Sequence, residues 1–401
     1  MNLTVNATKG RLAYRRLWAL KPGTVFLNHG SFGACPRAIL AVQAKLRRRM
    51  EAEPVQFLWR HYEERLQAAR SEVARFVGAN PNDLVFVTNT TTGVNAVLRS
   101  ARLRPGDEIL TTDHDYNACR NALVETARRT GARIVIAQVP FPIRASSEIL
   151  DAILAAVTRR TRLALIDHVT STTALLFPVR QIIQALESRG VDVLVDGAHA
   201  PGMIPLNLNR LAPAFYTANL HKWVCAPKGC AFLWARPDKQ DRLQPAIVSH
   251  GNNSPRPGFS SFHDRFDWAG TADPTAWFCA GESIRLLQKS VPGGWPEIRK
   301  LNHQLAVAGR EILCKNWEVE PPCPANLLGS MATIELPQRF QGQPKTSKID
   351  PEQLALYDKY RIEVPLFRRG QNKQTRYLRI SAHLYNNPSE YDYLARMLAS
   401  V

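Results

Sequence analysis

Between residues 84 and 236 the chain repeats one cadence. A short β-branched run ends in polar or small residues, and a helical pattern follows. The runs lie at 84–88, 108–112, 133–137, 163–167, 191–196, 215–218 and 230–234, with helical stretches such as 147–157 and 179–189 between them. Parallel neighbours in a sheet need a long crossover, usually a helix, so this alternation predicts an α/β fold with a mostly parallel sheet. The connection from 215 to 234 has no room for a helical crossover, which predicts one antiparallel strand there.

The flanks read differently. Residues 38–78 predict two helices broken near Glu53-Pro54, and 282–318 predicts a further helical segment. The character changes at Pro321-Pro322-Cys323-Pro324. Beyond it, 327–336 and 376–381 read as strands and 350–360 and 389–400 as helices, which makes a smaller C-terminal α+β domain. The segment 338–348, rich in Gln, Lys, Pro and Gly, reads as an exposed loop. The division expected is therefore an N-terminal segment over 1–37, a large domain over 38–300 and a small domain over 301–401.

With 45% hydrophobic and 21% charged residues, disorder and low-complexity architectures are excluded. No stretch approaches the ~18 apolar residues of a membrane span. The start, MNLTVNATKGRLAYRRLW, has no apolar h-region, so no secretory signal is expected. Seven scattered cysteines without a CxxC read as reduced thiols, which implies a cytoplasmic protein with neither disulfides nor a metal site. Lys plus Arg is 52 against 34 for Asp plus Glu, a formal net charge of +18. Such a charge suits nucleic acid or small anionic ligands. The densest basic knots, around Arg47-Arg48-Arg49 and Arg368-Arg369, carry no nucleic-acid-binding motif and read as solvated surface.

Ligands of open α/β sheets bind outside the carboxyl ends of the strands. The first run is followed by Thr88-Asn89-Thr90-Thr91-Thr92-Gly93 and a helix, and hydroxyls at a helix start make an anion site suited to phosphate. The second is followed by Asp113-His114-Asp115-Tyr116-Asn117, and the fourth ends in Asp167-His168-Val169-Thr170-Ser171. The fifth ends in Asp196-Gly197-Ala198-His199, and Asn219-Leu220-His221-Lys222-Trp223 follows the sixth. One such cluster is ordinarily a cap or a satisfied polar group. Five at one sheet edge supply an anion cradle, an aromatic or imidazole plate, a buried carboxylate and a lysine. That set fits pyridoxal 5′-phosphate, which needs the cradle for its phosphate, the carboxylate for its ring nitrogen and the lysine for its aldehyde.

The phrases LNHGSFGACPRAI (27–39), TNTTTGVNAV (88–97), DHDYNA (113–118), DHVTSTTAL (167–175), VDGAHAPG (195–202), NLHKWVCAPKGCAFL (219–233), FDWAGTADPTA (266–276) and LRISAHLYN (378–386) span nearly the whole chain. In them the chain resembles the class V aminotransferases, fold-type-I pyridoxal phosphate enzymes. Within that family it looks most like the branch of isopenicillin N epimerase and hercynylcysteine sulfoxide lyase. The resemblance implies the pyridoxal phosphate-dependent transferase fold, a homodimer with shared active sites, and the 1–37 segment at the active-site mouth. It implies Lys222 as the Schiff-base lysine and the base at Cα, and Asp196 as the partner of the ring nitrogen. It sets His199 against the ring oxygen and Tyr116 or His114 over the ring face. Thr90, Thr91, Asn219 and His221 fall on the phosphate site, and Thr271 on a residue that reaches a phosphate across a dimer interface. Arg379 falls on the substrate-carboxylate arginine, where a planar fork suits bidentate binding. Asn28 and His29 fall on the loop lining the substrate mouth.

The stretch 360–368, where cysteine desulfurases of this family carry a nucleophilic cysteine, has none here, which disfavours a persulfide-forming enzyme. The implied activity works at Cα of an amino acid through an external aldimine. The resemblance leans to epimerisation, with Tyr116 or His114 as the second acid, and C–S β-elimination from a cysteine derivative and transamination stand beside it. A non-catalytic module that binds nucleic acid or a protein through its net charge is the alternative of another class. Lys222, Asp196 and Arg379 together argue against it, because such a module has no use for all three.

Overall fold

The computed structural model describes residues 14–342, 349–369 and 375–400. Its longer helices are α1 (Arg37–Ala52), α2 (Tyr62–Val77), α3 (Thr90–Ser100), α4 (Asn117–Thr130), α5 (Ser146–Ala155), α6 (Val179–Glu187), α7 (Ala280–Ser290), α8 (Gly294–Trp317), α9 (Pro351–Tyr360) and α10 (Pro388–Leu398). The strands are β1 (Leu84–Val87), β2 (Glu108–Thr112), β3 (Arg133–Ala137), β4 (Thr161–Asp167), β5 (Asp192–Asp196), β6 (Phe215–Asn219), β7 (Ala231–Ala235), β8 (Met331–Glu335), β9 (Leu366–Arg369) and β10 (Thr375–Ser381).

The seven strands β1 to β7 form one sheet in the order β1-β7-β6-β5-β4-β2-β3. β7 runs antiparallel to both neighbours, as the short 215–234 connection predicts, and every other pairing is parallel. Every residue of β1, β6 and β7 is buried. Strands covered on both faces read as continuous apolar runs, which is why the sequence shows them clearly. The second sheet is antiparallel, β9-β10-β8.

Two helical predictions need adjustment. After α1 ends, Pro54 lacks the N–H to continue it, and a wide turn over Gln56–Arg60 precedes α2. The segment 282–318 is two helices, because Pro292 and Gly293, the latter at φ +86°, break the path between α7 and α8. α8 runs through residue 300 and packs on both α10 and β8, so a single helix crosses the division expected from sequence. The expected loop begins with a short helical turn at Gln338–Phe340, and its residues 343–348 lie outside the described ones, as do residues 1–13 of the leader reading.

The N-terminal segment ties the two sheets together. Val25 and Phe26 pair in parallel with Ile362 and Glu363, and the Leu27 carbonyl accepts from the Ser381 amide at 2.8 Å. The short helix His29–Phe32 is thereby carried to the carboxyl edge of the large sheet. All seven cysteines are buried and free. No helix among the described residues is long and apolar enough to cross a membrane.

Candidate active site

The carboxyl ends of β1, β4, β5 and β6 open into a cavity of about 330 Å³. Its wall includes residues 88–91, Tyr116, Asp167, Ser171, Asp196, His199, Asn219, His221 and Lys222, with Ser31 and Phe32 from the N-terminal segment.

At one end the start of α3 faces the cavity. Asn89 caps that helix, its Oδ1 accepting from the Thr92 amide at 2.9 Å, and Asn219 Oδ1 accepts from the Thr90 amide at 3.0 Å. Gly93 lets α3 lie close to the sheet, since a Cβ there would sit 2.1 Å from Thr217 Oγ1. Thr90 Oγ1 is buried without a hydrogen-bond partner. A buried donor left unpaired is costly. A hydroxyl in that condition at a helix N-terminus is what a phosphate group would satisfy, so the residues present fit pyridoxal phosphate at this end.

Lys222 stands in the middle, its Nζ 3.1 Å from His199 Nε2. The indole N–H of Trp223 can only donate, and it reaches His199 Nδ1 at 3.4 Å. His199 therefore carries its proton on Nε2 and donates it to Lys222, which accepts only as a neutral amine. The environment agrees. Burial, and then the positive Arg379, draw the Lys222 amine down to about 7, and burial keeps His199 well below the usual imidazole range. The loop bearing Lys222 rests against Gly33, at φ +72°, where a Cβ would lie 2.1 Å from the His221 carbonyl.

Asp196 forms the floor. Its Oδ1 accepts from the Ala198 amide at 2.9 Å, and its Oδ2 from the Cys119 thiol at 3.3 Å. Asp167 lies beside it in the adjacent strand. His221 is fixed by a 3.0 Å bond from Nδ1 to the Cys230 carbonyl, and burial takes it down to about 4.

Arg379 reaches the far wall from β10. It donates through Nη1 to the Ser171 carbonyl, and through Nη2 to Asn28 Oδ1 at 3.2 Å and Ser31 Oγ at 3.0 Å. Its Nε is buried with no partner.

Thr90, Thr91, Tyr116, Asp196, His199, Asn219, His221 and Lys222 thus converge as expected from sequence. His114 does not. Its Nδ1 meets Thr173 Oγ1 at 2.7 Å and its Nε2 the Val139 carbonyl at 3.0 Å, in a core with Phe141 and Phe177. Both nitrogens are engaged away from the cavity, so His114 is neither the ring plate nor a catalytic acid, and Tyr116 alone of the two lines the wall. His29 is also corrected. It lies behind the lysine loop, its Nδ1 2.6 Å from the Tyr385 hydroxyl and its Nε2 2.9 Å from the Lys222 carbonyl. That ring holds the loop and does not line the mouth. Asn28 is one layer back, gripping Arg379. Thr271 is exposed and outside this chain's cavity wall. Sequence reading missed Phe32, Ser31 and Cys119. Phe32 is 73% exposed and carries no periodic signal, and Cys119 shows only as a buried position on α4.

An open α/β sheet with an anion-ready helix start, a paired carboxylate and a depressed lysine at its carboxyl edge defines a fold-type-I pyridoxal phosphate enzyme. The sequence profile described as aminotransferase class-V matches residues 34–394. The chain is 34% identical to isopenicillin N epimerase of Streptomyces clavuligerus, over 94% of this chain and 95% of that one. It is 30% identical to a probable chloroplastic L-cysteine desulfhydrase of Arabidopsis thaliana, over 92% and 81%. The solved structure of the cystine C–S lyase C-DES with cysteine persulfide superposes with a TM-score of 0.75 at 20% identity, covering 94% of this chain and 98% of that one. The chain belongs to the class-V aminotransferase family, whose members are pyridoxal phosphate-dependent enzymes.

Proposed function

We propose that the protein is a pyridoxal phosphate-dependent C–S β-lyase acting on a small cysteine derivative. The supporting observation is that Lys222 stands in the cavity with a lowered pKa, while one of the two candidates for a second acid, His114, is spent on Thr173 and Val139. Epimerisation needs that acid on the opposite side of Cα, whereas elimination needs one base and a leaving group at Cβ. Epimerisation remains the second reading, because Tyr116 lines the wall and its hydroxyl could deliver a proton.

When bound, the cofactor would supply an electron sink for the charge left at Cα. Thr90, Thr91, Asn219 and His221 would hold its phosphate, Asp196 its ring nitrogen, His199 its ring oxygen, and Tyr116 would cover its ring. The Arg379 fork would take the substrate carboxylate, trading its bonds to the Ser171 carbonyl and the Ser31 hydroxyl for it, with Asn28 steadying the guanidinium. Lys222 would then receive the proton from Cα. The test is a product assay on L-cysteine, its S-conjugates and sulfoxides. Sulfide from cysteine, a thiol from an S-conjugate or a sulfenic acid from a sulfoxide is expected, one-for-one with pyruvate and ammonia. A D-amino acid without pyruvate would establish epimerisation instead, and dependence on a keto acid would establish transamination.

The state of Lys222 has a pH signature. Only a neutral amine adds to an aldehyde, and burial beside Arg379 draws this amine to about 7 from the ordinary lysine value of 10.5. Cofactor uptake by the apoprotein should therefore speed up with rising pH and level off above about 7. In Arg379→Leu, which removes a positive neighbour, the midpoint should move upward. Stopped-flow absorbance across pH reads both.

We also propose a homodimer in which Thr271 of one copy completes the phosphate site of the other. The motive is its exposure at a distance from its own cavity together with the family resemblance. In a mixed dimer of Lys222→Ala and Thr271→Ala chains, one site carries both lesions and the other neither. About half the wild-type activity should return. An active monomer in sedimentation would defeat this.

A further inference from the structure

β4 and β5 are parallel neighbours, and their register places Asp167 opposite Asp196, each the last residue of its strand. Both side chains are buried, at 4% exposure each, and both line the cavity. We propose that this pair carries a single negative charge, with the charge on Asp196 and a proton held on Asp167. Asp167 is then a positioning residue beneath the cofactor site, an inference that rests on the reading of that site given above.

The donors are distributed unequally. Asp196 accepts from the Ala198 amide and the Cys119 thiol, and both bonds favour the ionised form. Across the cavity stands Lys222, already drawn toward neutrality. Arg120 on α4 is committed to another carboxylate, making 2.6 and 2.8 Å bonds to Asp115, whose own negative charge pushes both carboxyls up. The other titratable neighbours add no positive charge. His168, bonded to the Tyr216 hydroxyl at 2.8 Å, is held neutral by burial, as is His199. Two buried carboxyls at adjacent register positions, with no ion pair to either among the described residues, do not both ionise. Burial pushes both carboxyls up, and for Asp167 the charge on Asp196 pushes further, well above the carboxylate range.

The arrangement has a chemical consequence. One negative charge under a pyridine ring holds the ring proton, and a second neutral carboxyl can donate a hydrogen bond without over-stabilising the cation. Difference infrared spectroscopy of the apoprotein at neutral pH tests this directly. A carbonyl stretch of a protonated carboxylic acid is expected in the wild type. Asp167→Asn should remove it because the acid is gone. A band that survives in Asp167→Asn, or its absence from the wild type, overturns the proposal. Because the infrared arm uses no cofactor, failure of the cofactor reading shows separately, as no visible band in the wild type at any pH.

Discussion

Replacing Lys222 by alanine is expected to lower turnover by on the order of 10⁴-fold or more, because one side chain supplies both the covalent anchor and the base. The visible absorbance of the loaded protein should disappear with it. Thermal unfolding should change little. The loop around residue 222 is held by backbone contacts that the substitution leaves intact, from His29 to the Lys222 carbonyl and from Gly33 against His221. The competitor for the assignment is Lys228, an exposed residue six positions on whose ammonium donates to the Gly33 carbonyl at 2.7 Å. Borohydride reduction of the loaded protein followed by peptide mapping separates them. The label is expected on Lys222, and a label on Lys228 would make the latter the anchor.

Asp196→Asn is expected to keep the fold and most cofactor binding but lose about 10²–10³-fold in turnover, the usual cost of removing one preorganised electrostatic partner. A neutral amide cannot hold a proton on a ring nitrogen. Its NH2 would also oppose the Ala198 amide or the Cys119 thiol, both of which now donate to Asp196. Steady-state kinetics with spectra of the loaded variant checks both halves. A variant as fast as the wild type would place the ring nitrogen elsewhere.

Much of the fold was legible in the chain. Strands buried on both faces are mostly apolar, so β1 and β7 stand out in any reading of the sequence. The convergence of Thr90, Asp196 and Lys222 was equally legible, since parallel strands deliver all their carboxyl ends to one edge. Helix interruption at Val291–Gly293 was visible as Pro292-Gly293 but was masked by the strong periodicity on either side.

What the chain determined alone was therefore the layer order, the single antiparallel strand and the line of polar groups at the sheet edge. Those follow from side-chain period and from chain length between strands, which are local properties. Tertiary structure decided where each ring and each charge points. His114 and Tyr116 are two residues apart on one loop, yet Thr173 and Val139 draw the first into the core while the second stays half-exposed at the mouth. His29 and Phe32 share one short helix, and Tyr385, from far along the chain, takes His29 while Phe32 faces the cavity. The Asp167–Asp196 pair exists only because β4 and β5 are in register, 29 positions apart in sequence. A hydrogen bond or a like-charge contact depends on partners that arrive from distant segments, and no local pattern records them.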